Sequence, residues 1–190
     1  MNDNASAITP FLAPLKALQN LLDHYQGQGI IIGGIAASLL GKPRLTADVD
    51  ALILLSIDNI PDLFQKAKDV GFIARLENAE EFARKSRVLL LKHVESGIAI
   101  DISLGLLSFE EEAVEQSKEY LFKGVRIQLP TPEHLVIMKA VAHRPKDLLD
   151  IQGIVQSNPD LDKDHIRDWV TQFAELLEKP ELWDDIKVYL

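Results

Sequence analysis

Two aspartates separated by one residue, Asp48 and Asp50, interrupt the apolar run RLTADVDALILL, residues 44–55. Side chains on a strand alternate between faces, so both carboxylates project the same way. A third, Asp101, breaks a second apolar run, GIAIDISLGLL. Three carboxylates gathered from buried strands repel one another, and without a cation some would take up protons. Hard divalent ions are the natural counter-charge, and the usual client of a pair of such ions is a triphosphate. Upstream, Gly33-Gly34 closes the strand-like Ile30-Ile31-Ile32. A diglycine there allows close backbone approach and leaves helix N–H groups facing a ligand, or else serves only as a tight strand-to-helix turn.

The remaining pattern is that of an α+β chain. FLAPLKALQNLLDHY (11–25) places apolar residues at helical spacing, and 26–29 break it. IAASLLG predicts a helix ending near Gly41. A further helix is expected around IPDLFQKAKDVG, with Ser56 or Asp58 as its cap. Residues 72–76 suggest a short strand, and AEEFARKSR is a helical turn or an exposed loop. VLLLKHV and IAIDISL read as strands joined at Glu95-Ser96-Gly97. FEEEAVEQSKEY reads as a helix with acid at its start. YLFKGVRIQL suggests a hairpin around Lys123-Gly124. Thr131 before Pro132 is a good N-cap, and helices are expected over 132–143, 145–156, 162–178 and 181–189. The expectation is a mixed, mostly antiparallel sheet flanked by helices, with a core over 1–129 and a helical region over 130–190 packed on it.

Composition excludes several classes. With 47% hydrophobic residues the chain can bury a core, and its length suits one domain with a helical appendage. The absence of cysteine excludes disulfides and thiolate metal sites. No basic segment precedes an apolar stretch at the N-terminus and no apolar run reaches membrane-spanning length, so a cytoplasmic protein without a membrane partner is expected. A net charge of −9 argues against broad, sequence-independent nucleic-acid binding. The five histidines show no zinc-type spacing, so a zinc site is not expected.

The diglycine, the thirteen-residue spacer from Ile35 to Ala47, Asp-Val-Asp and the later Asp101 together resemble the DNA polymerase β-type nucleotidyltransferase superfamily. GGIAASLLGKPRLTADVDALI and MKAVAHRPKDLLDI are most similar to the abortive-infection (AbiEii-like) nucleotidyltransferase toxins. The resemblance implies the nucleotidyltransferase fold, with two Mg²⁺ or Mn²⁺ ions held by Asp48, Asp50 and Asp101. It implies transfer of a nucleoside monophosphate from a triphosphate to an acceptor hydroxyl on a tRNA, a protein or a small molecule. For a toxin it implies a cognate antitoxin. Gly33, Gly34, Arg44, Thr46 and Lys139 are then nucleotide-binding residues, and Asp147 supports them.

Alternatives stand beside these roles. Arg44 either reaches phosphate oxygens or balances the acidic cluster, and Lys42 reads as a surface charge. Asp147 either supports the site or caps a helix, and Asp150 reads as a surface ion-pair partner. Arg84, Lys85, Arg87 and Lys92 form a basic run that guides an anionic substrate or is simply a solvated face. Two other functions fit the same chain. One is a non-catalytic nucleotide- or partner-binding protein on this fold. The other is a metal-dependent phosphohydrolase.

Overall fold

The computed structural model describes residues 8–190. A short 3-10 turn, Thr9–Phe11, leads into helix α1, Leu12–Asp23, whose Leu15, Leu18, Leu21 and Leu22 form one buried stripe. Strand β1, Gly29–Ile32, runs directly into α2, Gly33–Leu40. Strand β2, Asp48–Ile53, follows, then a 3-10 turn at Ile57–Asn59 opened by Ser56, and α3, Ile60–Asp69. Strand β3 is Phe72–Ala74 and helix α4 is Ala79–Ser86, which resolves AEEFARKSR as a helix. Strands β4, Val88–His93, and β5, Ala99–Leu104, form the expected hairpin.

The five strands lie in the order β1-β2-β5-β4-β3. Only the central β2–β5 pair is parallel; the others are antiparallel. Alternation divides the sheet into two faces. One carries Val49, Ala51, Ile53, Leu89, Leu91, Ile100 and Ile102, which are buried in the main core. The other carries Ile30 and Leu52 at one end, under Ala113 and Val114, and the aspartates at the other.

Helix α5 spans Ser108–Glu115. The helix expected through Tyr120 therefore stops early, and 118–122 form strand β6 (Lys118–Phe122), paired with β7 (Val125–Leu129) in a separate two-stranded sheet. Local acidity favours a helix start but gives no stop signal. The alternating partner Val-Arg-Ile-Gln-Leu beyond the Lys123-Gly124 turn decides the register. The backbone N–H of Gln128 donates to Gln19 Oε1 of α1 at 2.9 Å, which ties this hairpin to the first helix.

The C-terminal helices are α6 (Pro132–Ala142), α7 (Pro145–Ser157), α8 (Lys163–Leu176) and α9 (Glu181–Asp184). Thr131 caps α6, accepting from the His134 N–H at 3.3 Å. The last helix is shorter than its apolar pattern suggests, because residues beyond Asp184 continue as turns with bonds such as Tyr189 N–H to Ile186 C=O. Ile137, Ala140, Ile151, Ile154, Ile166 and Val170 join the same buried cluster as α1 and the sheet. No described helix is long and apolar enough to cross a membrane.

Helix α2 meets α7 backbone to backbone. A Cβ on Gly41 would stand 2.8 Å from Ile154 N and 3.0 Å from the Gly153 carbonyl carbon. Main chain cannot yield there as a side-chain tip can. We expect Gly41→Ala to destabilise the fold by about 1–3 kcal/mol, the usual cost of overpacking. Chemical denaturation measures this, and an unchanged midpoint would refute the close approach.

Candidate active site

Strand pairing sets the geometry of the acidic residues. Asp50 lies directly opposite Asp101 in the parallel β2–β5 register, and Asp48 lies one pleat away on the same face. All three are partly exposed, whereas Val49, Ala51, Ile100 and Ile102 between them are buried. The aspartates therefore share an open face over an apolar sheet.

Gly33 sits against this group. Its φ is +70°, and a Cβ there would fall 1.9 Å from Asp50 Oδ2. Any side chain would fail on both counts, through left-handed backbone and direct collision. At Gly34 a Cβ would fall 2.6 Å from Thr46 Oγ1 and 3.3 Å from Arg44 Nη2. The diglycine thus lets the start of α2 seat against the chain's own Asp50 and Thr46. The Gly34 N–H, at the positive end of that helix, bonds to Asp50.

The electrostatics are those of an under-compensated cluster. Burial, then Asp48 and Asp101, push Asp50 above the usual carboxylate range, against the weaker pull of Lys139 and the Gly34 N–H. Burial also raises Asp101, and Asp48 adds to it. The Arg75 guanidinium forms an ion pair with Asp101 Oδ1 and opposes that rise without cancelling it. Thr46 Oγ1 donates to Asp48 Oδ1 at 3.0 Å. Among the described residues, neither Asp48 nor Asp50 has an ion-pair partner. Oxygen-only donors, mutual repulsion and partial exposure fit hard divalent cations.

A second network, centred on the buried Lys139, Asp147 and Asp150, flanks the first. Arg44 grips Asp150 with two parallel bonds, Nε–Oδ1 at 2.5 Å and Nη2–Oδ2 at 2.8 Å. Lys139 Nζ, only 4% exposed, lies 3.0 Å from Asp147 Oδ1 and 2.9 Å from Asp150 Oδ2. Asp147 Oδ2 accepts from Arg144 Nε at 2.5 Å and from the Arg144 backbone N–H at 3.2 Å, which caps α7. Burial would raise Asp147 and Asp150, but hydrogen bonds from Arg144, Arg44 and Lys139 win and hold both below the ordinary value.

The candidate nucleotide- and metal-binding residues thereby fall into two groups. Asp48, Asp50, Asp101, Gly33, Gly34 and Thr46 meet at the open face, and Arg44, Lys139 and Asp147 belong to the adjoining network. Lys42 lies apart, with Nζ 2.5 Å from Gln156 Oε1. Asp150 is a buried partner of Arg44 and Lys139 rather than a surface group. Arg75 pairs with Asp101, and nothing in its local sequence signals that contact. Within the basic run, the Arg87 guanidinium binds the Leu104 and Gly105 carbonyls, and Lys85 pairs with Glu81. A cleft of about 600 Å³ between α3, β3 and α4 is lined by none of the acidic trio.

A mixed sheet carrying an Asp-x-Asp strand beside a diglycine turn, with a third Asp on the adjoining strand, is the frame of a nucleotidyltransferase. A family model described as a nucleotidyltransferase of unknown function (DUF6036) matches residues 11–181, and the chain belongs to that family. No curated protein matches the sequence. Among solved structures, the solution structure of the antibiotic-resistance factor ANT(2'')-Ia is similar at a TM-score of 0.60 with 14% identity, over 92% of this chain and 96% of that one. A crystal structure of ANT(2'')-Ia in complex with adenylyl-2''-tobramycin gives 0.55 with 15% identity, over 85% and 95%. An antigenic nucleotidyltransferase-like protein from Paracoccidioides brasiliensis gives 0.55 with 16% identity, over 92% and 90%. At these identities the likeness establishes the shared fold.

Two predictions follow from the charges. Asp50 has a folded-state pKa above its unfolded value, so its ionisation opposes folding at pH above that raised value, and the penalty vanishes as pH falls below the unfolded value. We expect Asp50→Asn to raise the melting temperature of metal-free protein at neutral pH, with no gain below about pH 3.9, the ordinary aspartate value. Thermal melts in chelator across pH test this; a loss of stability at pH 7 would contradict it. Lys139→Met leaves two buried carboxylates short of a cation and should cost about 3–5 kcal/mol. Restoration of much of that loss by a second change, Asp150→Asn, would locate the cost in the ion pair.

Proposed function

We propose that this chain is a metal-dependent nucleotidyltransferase that moves a nucleoside monophosphate from a triphosphate to an acceptor hydroxyl in the cytoplasm. The observation that carries this is the Asp50–Asp101 register pair with Asp48 beside it, under-compensated and seated against Gly33. Divalent ions bound there would neutralise charge on the attacking and leaving oxygens of an in-line displacement. The site residues do the rest. The acceptor oxygen attacks the α-phosphorus, the bond to the β-phosphate oxygen breaks, and pyrophosphate leaves. Asp101 is suited to take the hydroxyl proton on Oδ2, because Arg75 engages Oδ1 and burial raises the carboxyl.

The start of α2 and the Arg44–Lys139 network supply positive potential for the triphosphate. Asp147 and Asp150 fix those cations in place. On this reading residues 1–129 form the catalytic core. The helical region 130–190 contributes the basic support. The AbiEii-like resemblance favours a toxin role with a cognate antitoxin and an RNA or protein acceptor. The ANT(2'')-Ia complex, which holds an adenylylated antibiotic, makes a small-molecule hydroxyl the competing acceptor.

The test incubates the protein with each α-labelled triphosphate, Mg²⁺ or Mn²⁺, and cell extract or candidate acceptors, and follows the label and pyrophosphate. We expect one class of acceptor to be labelled. Asp48→Asn should lower transfer by at least about 10²–10³-fold, the scale seen when one transition-state charge stabiliser is removed. Undiminished transfer in that variant would refute the mechanism. Nucleotide binding without pyrophosphate release would replace the enzyme by a binding protein.

A further inference from the structure

Away from the aspartates, three helices bring together Glu112 of α5, His134 of α6 and His165 of α8. One ligand-capable atom from each lies within 4.8 Å of the others. Glu112 Oε1 stands 3.4 Å from His134 Nε2 and 3.3 Å from His165 Nε2. Both ring nitrogens are buried and lack a hydrogen-bond partner among the described residues. Buried polar atoms are normally satisfied, so two orphans facing one carboxylate oxygen need a common explanation. We propose that Glu112, His134 and His165 form a Zn²⁺ site.

The spacing suits that ion. Zinc–nitrogen and zinc–oxygen bonds of about 2.0–2.1 Å meeting near the tetrahedral angle put two donors about 3.3 Å apart. Both histidine–glutamate separations match, and all three donor atoms lie within 4.8 Å of one another. The supports are also in place. His134, fully buried, has Nδ1 2.8 Å from Thr131 Oγ1, which orients Nε2 toward the centre. Trp169 Nε1 donates to Glu112 Oε2 at 3.2 Å, and Gln116 Nε2 donates to Oε1 at 3.2 Å. Phe109 packs on both His134 and Trp169 with ring centroids 5.5 and 5.2 Å away.

A cleft of about 460 Å³, bordered by Lys118, Glu133 and Asp162, opens beside the three ligands and leaves room for water in a fourth position. None of the acidic trio borders it. Two imidazoles and one carboxylate make a borderline donor set that prefers Zn²⁺ to Mg²⁺, unlike the all-oxygen trio. The ligands are 22 and 31 residues apart in sequence, so no spacing motif could reveal them.

The test titrates chelator-stripped full chain with Zn²⁺ in millimolar Mg²⁺, using a competing indicator and thermal melts. We expect one Zn²⁺ per chain, a higher melting temperature on binding, and Co²⁺ ligand-field bands typical of nitrogen coordination. His165→Gln and Glu112→Gln, chosen because these residues are less buried than His134, should each weaken Zn²⁺ at least about 10-fold while circular dichroism stays unchanged. Asp48→Asn should leave Zn²⁺ binding intact. Absence of Zn²⁺ binding would overturn the proposal. So would binding that survives both ligand changes, or that is lost in Asp48→Asn.

Discussion

Crowding of like charge on neighbouring strands is the constraint from which the rest of the site follows. The parallel register sets Asp50 against Asp101, and the pleat returns Asp48 to the same face. Four cations around the site are engaged elsewhere or by Asp101. Arg144 holds Asp147, Arg44 holds Asp150, Lys139 lies between those two, and Arg75 takes Asp101. Among the described residues, Asp48 and Asp50 meet a threonine hydroxyl and a backbone N–H but no cation. The contrast with the adjoining network is informative. There, buried carboxylates fall below their ordinary value because every oxygen meets a donor. On the sheet, Asp50 and Asp101 rise because burial and neighbouring carboxylates outweigh the donors they meet. A protein able to satisfy Asp147 so fully has left a deficit of positive charge beside it, which marks the acidic face as a candidate functional site.

The same arrangement explains why the C-terminal helices belong to the site. Arg44 and Asp150 are far apart in sequence but form a two-pronged pair, which fixes the loop before β2 to α7. Thr46, two residues along that loop, then contacts Asp48. Gly41, at the end of α2, lets the α7 backbone come close enough for this to happen. The position of the acidic strand thus depends on packing between the first and last thirds of the chain. The open aspartate end of the sheet face persists because α5 and Met138 of α6 cover only its Ile30–Leu52 end.

Legibility in the sequence followed the range of each interaction. Asp-Val-Asp in an apolar run fixed a shared face because strand alternation is local. The diglycine was legible as a turn. Its reason for lacking side chains was not, since the obstruction is Asp50 and Thr46, which only pairing brings close. Hairpins with a turn glycine were readable at Gly97 and Gly124. The change from helix to strand before Tyr120 was not, because Lys118 and Glu119 are claimed by pairing with Leu129 and Gln128 rather than by their own pattern. Asp150 read as a surface group because a helical i, i+3 spacing says nothing about what faces it. Arg75 and the Glu112–His134–His165 group carry no sequence signal at all. Each exists only through tertiary contact.

The two candidate metal centres differ in a way that allows both to be specific in one molecule. Hard oxygen donors on a partly exposed strand face suit ions that keep part of their water and exchange with substrate. A buried imidazole held by Thr131 and Phe109, as His134 is, suits an ion that stays. Helix α5 links them mechanically. Its Glu112 points toward the histidines, while its neighbours Ala113 and Val114 cover the aspartate-bearing face of the sheet. An ion that fastens α5 to α6 and α8 would therefore also hold the cover beside the acidic trio. The edge of the open face would then be set by a contact outside the chemistry itself.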